Sequence, residues 1–194
     1  MADGPGYLVV GRNERPLADL YVLRALLPAV TVSRPRGNGW QVCELGGEAA
    51  IADSVSLLVD LAAATRAPAL LASAADGDRA TVEGFSGSGG YWKAALPVTG
   101  TGPLPVAELA ARVVAWAASA QHPVAPAPVV EFLRAPGRDR VDGMLEELLA
   151  LLGLAAPVAH VAGQRVSRNR SRTRVPNLSP SIGTRSSTPW NMPR

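Results

Sequence analysis

Hydrophobic positions in the first third of the chain switch between the periods of strands and helices. Residues 7–10 form a short apolar run bounded by glycine, which predicts a buried strand. Leucines at helical spacing predict a helix over 15–27, which ends because Pro28 interrupts the pattern. Further strands are predicted over 30–33 and 40–45, and a strong amphipathic helix over 48–65.

The rest of the chain begins with strand-like segments and ends with helical ones. Residues 69–98 predict a three-stranded antiparallel meander with an acidic turn at Asp76-Gly77-Asp78 and a glycine-rich loop at 86–90. Apolar positions at helical spacing then predict three helices, at 106–117, 128–134 and 139–153.

This order of elements predicts an α+β domain over residues 1–162. Its antiparallel or mixed sheet is expected to carry helices packed on one face. The helical C-terminal part, 104–153, either packs on that sheet or forms a small lobe. From residue 163 to 194 the apolar periodicity disappears, and a disordered tail is predicted there.

Charge divides the chain at the same place. Residues 1–162 hold all 16 acidic residues but 12 of the 19 basic ones, which leaves a formal charge of −4. The tail has seven arginines and no carboxylate. Five of them, spaced over ten residues, are candidate phosphate contacts: Arg165, Arg168, Arg170, Arg172 and Arg174. Such a tail would bind nucleic acid non-specifically and in a salt-sensitive way. An inert extension and a reading-frame artefact of a GC-rich gene remain open alternatives.

Composition argues against membrane insertion and secretion. Apolar runs stay shorter than the roughly 18–20 residues of a bilayer span, and the N-terminus has no signal-peptide pattern. Cys43 is the sole cysteine, so an intramolecular disulfide is excluded. We therefore expect a soluble, cytoplasmic protein without membrane partners.

Candidate chemistry in the sequence is sparse. The stretch 84–90 matches neither a dinucleotide fingerprint nor a nucleophile elbow, because a strand rather than a helix follows it. Asp76 and Asp78, with Glu83 nearby, could supply oxygen ligands to a divalent cation. A tight hairpin turn explains the same aspartates. We expect neither a metal nor a cofactor.

Cysteine and histidine chemistry is equally limited. Cys43 with His122 or His160 could in principle form a catalytic pair, but Cys43 lies inside a predicted strand, where a buried thiol is ordinary. No zinc-ligand spacing is present.

Four arginines follow predicted strands. They could form a modest anion-binding patch, although solvated surface charge is the favoured account. They are Arg12, Arg15, Arg34 and Arg36.

The segments 61–71, 76–78 and 82–84, followed by Tyr91-Trp92, resemble those of uncharacterised small α/β proteins from GC-rich bacteria. In those proteins a helix runs into an Ala-Pro-Ala-Leu strand, an acidic turn and a strand before a Gly–Trp hairpin. The resemblance covers about 30 residues and implies structure but no activity.

The sequence favours a non-enzymatic protein-interaction module of the immunity, antitoxin-like or regulatory kind. An acidic body suits a basic partner, and Trp40, Tyr91 and Trp92 are the candidate interface residues. Core packing is the alternative role for each. A small enzyme of unrecognised family and a nucleic-acid-associated protein remain the competing functions, and the oligomeric state is left open.

Overall fold

The computed structural model describes residues 6–46, 49, 51–76, 79–96, 98, 104–134 and 141–156. All of them belong to the first of the chain's two units, Met1–Ala159. The predicted tail with its arginines, His160 and Asp78 lie outside the described residues. None of the helices within those ranges is long and apolar enough to cross a membrane.

Six strands form one antiparallel sheet in the order β2-β3-β1-β4-β5-β6. The strands are β1 (Tyr7–Arg12), β2 (Val30–Gly37), β3 (Trp40–Leu45), β4 (Ala69–Asp76), β5 (Arg79–Ser86) and β6 (Gly90–Leu96). In the centre of the sheet, Val9 pairs with Cys43 on one side and Leu71 on the other. The predicted meander, β4–β6, is confirmed.

Four α-helices and two 3₁₀ segments accompany the sheet. The helices are α1 (Ser54–Thr65), α2 (Val106–Ser119), α3 (Pro126–Arg134) and α4 (Val141–Leu151), and the 3₁₀ segments are Leu17–Asp19 and Tyr21–Ala29. Helix α1 begins later than predicted because the Asp53 carboxylate accepts a hydrogen bond from the Ser56 amide, 3.0 Å away, and caps it there.

The region predicted as a helix over 15–27 is 3₁₀ instead. Its core-facing leucines recur every third residue: Leu17 and Leu23 are buried, and the partly buried Leu20 and Leu26 pack against the same core cluster. A spacing of three is the repeat of a 3₁₀ helix, whose side chains at i and i+3 are aligned. The Leu23 amide donates to the Leu20 carbonyl, as this geometry requires.

The sheet has a hydrophobic core on each face, which confirms the α+β class and the antiparallel sheet. Helices α2, α3 and α4 cover one face, beneath which lie Val10, Leu70 and Trp92. Helix α1 and the 3₁₀ segments cover the other, over Val9 and Leu71. From the sequence we expect helices on one face of the sheet, whereas they cover both faces. The central strands are apolar at consecutive positions, however, so both of their faces need cover.

Candidate functional site

A polar cavity of about 620 Å³ opens at one end of the sheet. It lies where the C-terminal ends of α1 and α2 meet the end of β1 and the turn between β2 and β3. The residues that line it include Arg12, Asn38, Trp40, Arg66, Gln121 and His122. Trp40 is almost fully buried and forms part of the cavity wall.

The guanidinium of Arg12 is fixed by hydrogen bonds to two separate elements. Its Nε donates to the Asn38 carbonyl in the β2–β3 turn, and its Nη1 donates to Oε1 of Gln121 after α2, each over 3.0 Å. Two residues from separate parts of the chain, Asn38 and Gln121, therefore hold one cation at the cavity. A guanidinium held in this way loses little rotamer freedom when it binds a ligand.

The loop that follows β1 is held by a single side chain, that of Gln41. The Gln41 amide nitrogen donates to the carbonyls of Asn13 and Arg15, over 2.9 and 2.7 Å. Its oxygen accepts from the Leu17 amide, over 2.9 Å. These bonds fix the wall of the cavity formed by Asn13 and Glu14.

Two helices end at the cavity with non-glycine residues in a backbone conformation that costs stability. Arg66 after α1 has φ 53° and Gln121 after α2 has φ 66°, both in the left-handed region. Helix α4, none of whose described residues lines the cavity, is followed by a glycine in this conformation, Gly153 at φ 76°. Left-handed backbone costs a non-glycine residue roughly 1–2 kcal/mol. Both of the helix ends that have a left-handed residue other than glycine are therefore found at the cavity, and both of these residues line it.

His122 is held in the cavity by its packing against α4. Its amide donates to the Ala117 carbonyl, which completes the end of α2. A Cβ atom built on Gly153 would lie 2.7 Å from Cγ of His122, so the imidazole lies directly against that glycine. The end of α4 therefore helps set the position of the ring.

The balance of charge in the cavity suits an anion. Arg12 and Arg66 both line it, and among the residues that the structure describes neither forms an ion pair with a carboxylate. His122 and the side-chain amide of Asn13 add hydrogen-bonding capacity, while Glu14 is the one carboxylate among the described lining residues. Phosphates and carboxylates are the groups that guanidinium donors match in geometry.

The four arginines singled out from the sequence do not form one patch. Arg12 lines the cavity, whereas the buried Arg36 side chain donates from both Nη atoms to Glu146 on α4, over 2.7 and 2.5 Å. Arg34 pairs with Glu44, over 3.0 Å. Arg66 and Gln121 were missed because nothing in their residue type signals a role. The available signal was the lack of glycine where α1 and α2 end.

Glu83 is used within the fold. It accepts hydrogen bonds from Ser54 Oγ over 2.6 Å and Tyr91 OH over 2.7 Å, and pairs with Lys93 Nζ over 2.9 Å. Burial raises the pKa of Glu83, but these donors and the positive charge of Lys93 outweigh it and leave the pKa lowered. Its carboxylate therefore stays charged and fully partnered.

Of the acidic residues proposed as cation ligands, the two that the structure describes, Asp76 and Glu83, lie far apart in the sheet. Asp76 pairs with Arg79 at the start of β5, and Glu83 lies four positions further along that strand. At about 3.3 Å per strand residue, Glu83 is on the order of 13 Å from Arg79. In the part of the chain that the structure describes, no three His, Cys, Asp or Glu residues are grouped as metal ligands would be.

Cys43 and His122 are not brought together. Cys43 is buried in the core beside the first 3₁₀ segment, and its Sγ lies 3.6 Å from Ser33 Oγ. Burial raises the pKa of the thiol, which disfavours the reactive thiolate. His122 instead lies in the cavity beside Trp40, whose side chain belongs to the core of the opposite face.

Two of the three candidate interface residues are buried in the protein, and the third is half-buried. Trp40 and Trp92 are 1% and 2% exposed, and the ring of Trp40 packs at 5.8 Å from that of Trp116. Trp92 covers Gly84 so closely that a Cβ there would lie 2.4 Å from the indole. Tyr91 is half-buried, and burial and its bond to Glu83 raise its pKa. The two tryptophans therefore offer no contact area to a partner.

No protein-family model, curated protein or solved structure matches the chain. The resemblance to small α/β proteins of GC-rich bacteria stays a prediction.

Proposed function

We propose that this protein binds a small molecule that carries a phosphate or carboxylate group, in the cavity at the ends of α1 and α2. The observation that carries the proposal is the pair of left-handed residues at the cavity, Arg66 and Gln121, where glycine would be more stable. Strained backbone of this kind concentrates at ligand sites.

Each of the two residues has a role that glycine lacks. Gln121 accepts from Arg12 and so orients its guanidinium, which makes it a positioning residue. Arg66 brings a second guanidinium to the same cavity. An anion between them would receive charge-assisted hydrogen bonds, each worth about 1.5–3 kcal/mol.

The cavity is also formed before any ligand arrives. Gln41 fixes its loop wall, the β2–β3 turn and Gln121 fix Arg12, and Gly153 supports His122. Ordering costs that would otherwise oppose binding are therefore met when the chain folds. A site of this size and polarity suits a metabolite-sized ligand.

The test is a titration of the full-length protein with inorganic phosphate and with acetate, followed by amide chemical shifts in NMR spectra. We expect the shifts to centre on the cavity, at residues such as Asn38 and Gln121. Arg12→Ala should weaken binding about tenfold to a hundredfold, since it removes a charge-assisted contact.

Arg24→Ala is the matched control, because Arg24 is exposed and outside the cavity lining. It removes the same charge, and the tail arginines are present in both variants. Equal losses in the two variants would show non-specific attraction by net charge and would overturn the proposal. Shifts centred away from the cavity would do the same.

A protein partner, which the sequence favoured, is the second proposal. Its support is the position of the large apolar side chains that the described residues leave exposed: Tyr21, Leu27, Val55 and Val59. All four belong to the layer of α1 and the second 3₁₀ segment. Asp53 and Asp60 are exposed on the same helix, so the surface suits a partner that is apolar and basic. Nucleic-acid binding by the tail concerns residues outside the described ranges and stays a prediction.

Val55→Lys combined with Val59→Lys tests the second proposal, since it reverses the character of one helix face without touching the core. We expect a partner recovered by the wild-type protein to be lost by the double variant and kept by Ala107→Lys with Ala111→Lys on α2, where both alanines are exposed. Equal recovery by both pairs of variants would contradict this surface.

A further inference from the structure

We infer that the ligand of this cavity is an anion attached to a short hydrocarbon chain, and that the chain lies in a groove beside α1. The inference rests on the proposed function, because it assigns the anionic group to the cavity. It adds the chemical class of the remaining part of the ligand.

An apolar groove of about 490 Å³ runs along the C-terminal half of α1. Small side chains of the helix form one wall, Val59, Ala62 and Ala63, and Pro68 and Phe85 lie opposite or beneath them. The groove also has a polar part, where the hydroxyls of Ser88 and Ser119 lie 2.6 Å apart. Alkyl groups fit such a surface, and charged groups do not.

The groove and the cavity meet at the same two residues. Arg66 and Ala67 line both of them. Because Arg66 ends α1 in the left-handed conformation, the chain turns sharply there between the helix and β4. A ligand whose anionic group is bound by Arg66 therefore has its substituent at the mouth of the groove.

The residues shared by the groove and the cationic cavity, Arg66 and Ala67, indicate what would fill the groove. An aspartate or glutamate side chain would bring a carboxylate to the cavity but too short a hydrocarbon part to fill the groove, and a free metabolite without an alkyl part would leave the groove wet. An alkyl phosphate or an alkanoate satisfies both surfaces with one molecule. Hydrophobic burial should then add about fourfold in affinity per methylene, equivalent to about 0.8 kcal/mol.

The experiment measures dissociation constants of the full-length protein for n-alkyl phosphates from methyl to hexyl, and for the matching alkanoates. We expect affinity to rise about fourfold per methylene until the chain fills the groove. The head group that gives the tighter series identifies the natural anion as phosphate or carboxylate.

Ala63→Trp and Ala64→Trp form a matched pair for the groove. Both alanines are exposed neighbours on α1, but only Ala63 of the two lines the groove. We expect Ala63→Trp to abolish the dependence on chain length, because the indole would fill the groove. Ala64→Trp should keep the full dependence.

The outcomes separate this inference from the proposed function. Binding of methyl phosphate that requires Arg12, with no gain from longer chains, overturns the inference and leaves the proposed function intact. An unchanged chain-length dependence in Ala63→Trp also overturns it, since the alkyl group would then lie elsewhere. If neither short nor long anions bind, both fail.

Discussion

Single residues in this protein gain their roles from partners that are far away in the sequence. Arg12 is oriented by the β2–β3 turn and by Gln121, and Gln41 fixes the loop that begins at Asn13. Glutamine and arginine occur on any protein surface, so their residue type predicts none of this. From the sequence, an anion-binding patch with Arg12 was the less favoured interpretation, and nothing separated Arg12 from Arg34 and Arg36, which pair with carboxylates.

Glu83 gives the fold a dependence on pH. Its pKa is lowered in the folded protein, so the stability that it contributes is complete above the unfolded value of about 4.3. That contribution is lost as the pH falls through the lower folded value. We expect Glu83→Gln to lower the free energy of unfolding at pH 7, and the difference from wild type to shrink by pH 3.

Urea denaturation at both pH values measures this difference. Asp60→Asn is the control, because Asp60 is exposed on α1. A gap between Glu83→Gln and wild type that is as large at pH 3 as at pH 7 would show that its loss acts through packing rather than through charge.

At the level of elements, hydrophobic periodicity predicted most of the fold. All six strands, α1 and the three C-terminal helices lie where the apolar spacing put them, because each buries a face that the pattern marks. Boundaries depended on local chemistry instead. Asp53 sets the start of α1 by capping, and the three-residue leucine spacing after β1 produces 3₁₀ rather than α-helical geometry.

The distribution of helices over the two faces was less predictable from periodicity. A continuous apolar run such as Ala69–Ala72 buries alternate residues in the two cores, with Leu70 on one side and Leu71 on the other. Such a run indicates cover on both faces, but it does not say which helix covers which. That assignment depends on the order of strands in the sheet, which only the three-dimensional structure provides.

At the level of the whole molecule, the candidate site joins segments that the sequence keeps apart. Arg12, Arg66 and His122 come from the end of a strand and the ends of two helices. Their convergence depends on β1 lying beside β4 at the centre of the sheet and on α2 returning across it. A short-range motif search cannot find a site of this kind.

The overall charge of the molecule gives no guide to this site either. The chain carries a formal charge of +3, whereas residues 1–162 carry −4. A cationic cavity therefore lies within an acidic body, and binding there depends on two local guanidinium groups rather than on net charge. Local attraction of this kind is stronger where water is partly excluded.

The central claim is that Arg66 is kept at the end of α1 for its side chain, at a cost in stability. Arg66→Gly tests it directly, through urea denaturation and phosphate titration of the same protein. Glycine adopts φ 53° without strain. Because glycine also raises the entropy of the unfolded chain, part of the relieved strain is offset, and we expect the free energy of unfolding to rise by up to about 1 kcal/mol. Phosphate affinity should fall at least about tenfold. A more stable variant that binds phosphate as tightly as the wild type would contradict the account.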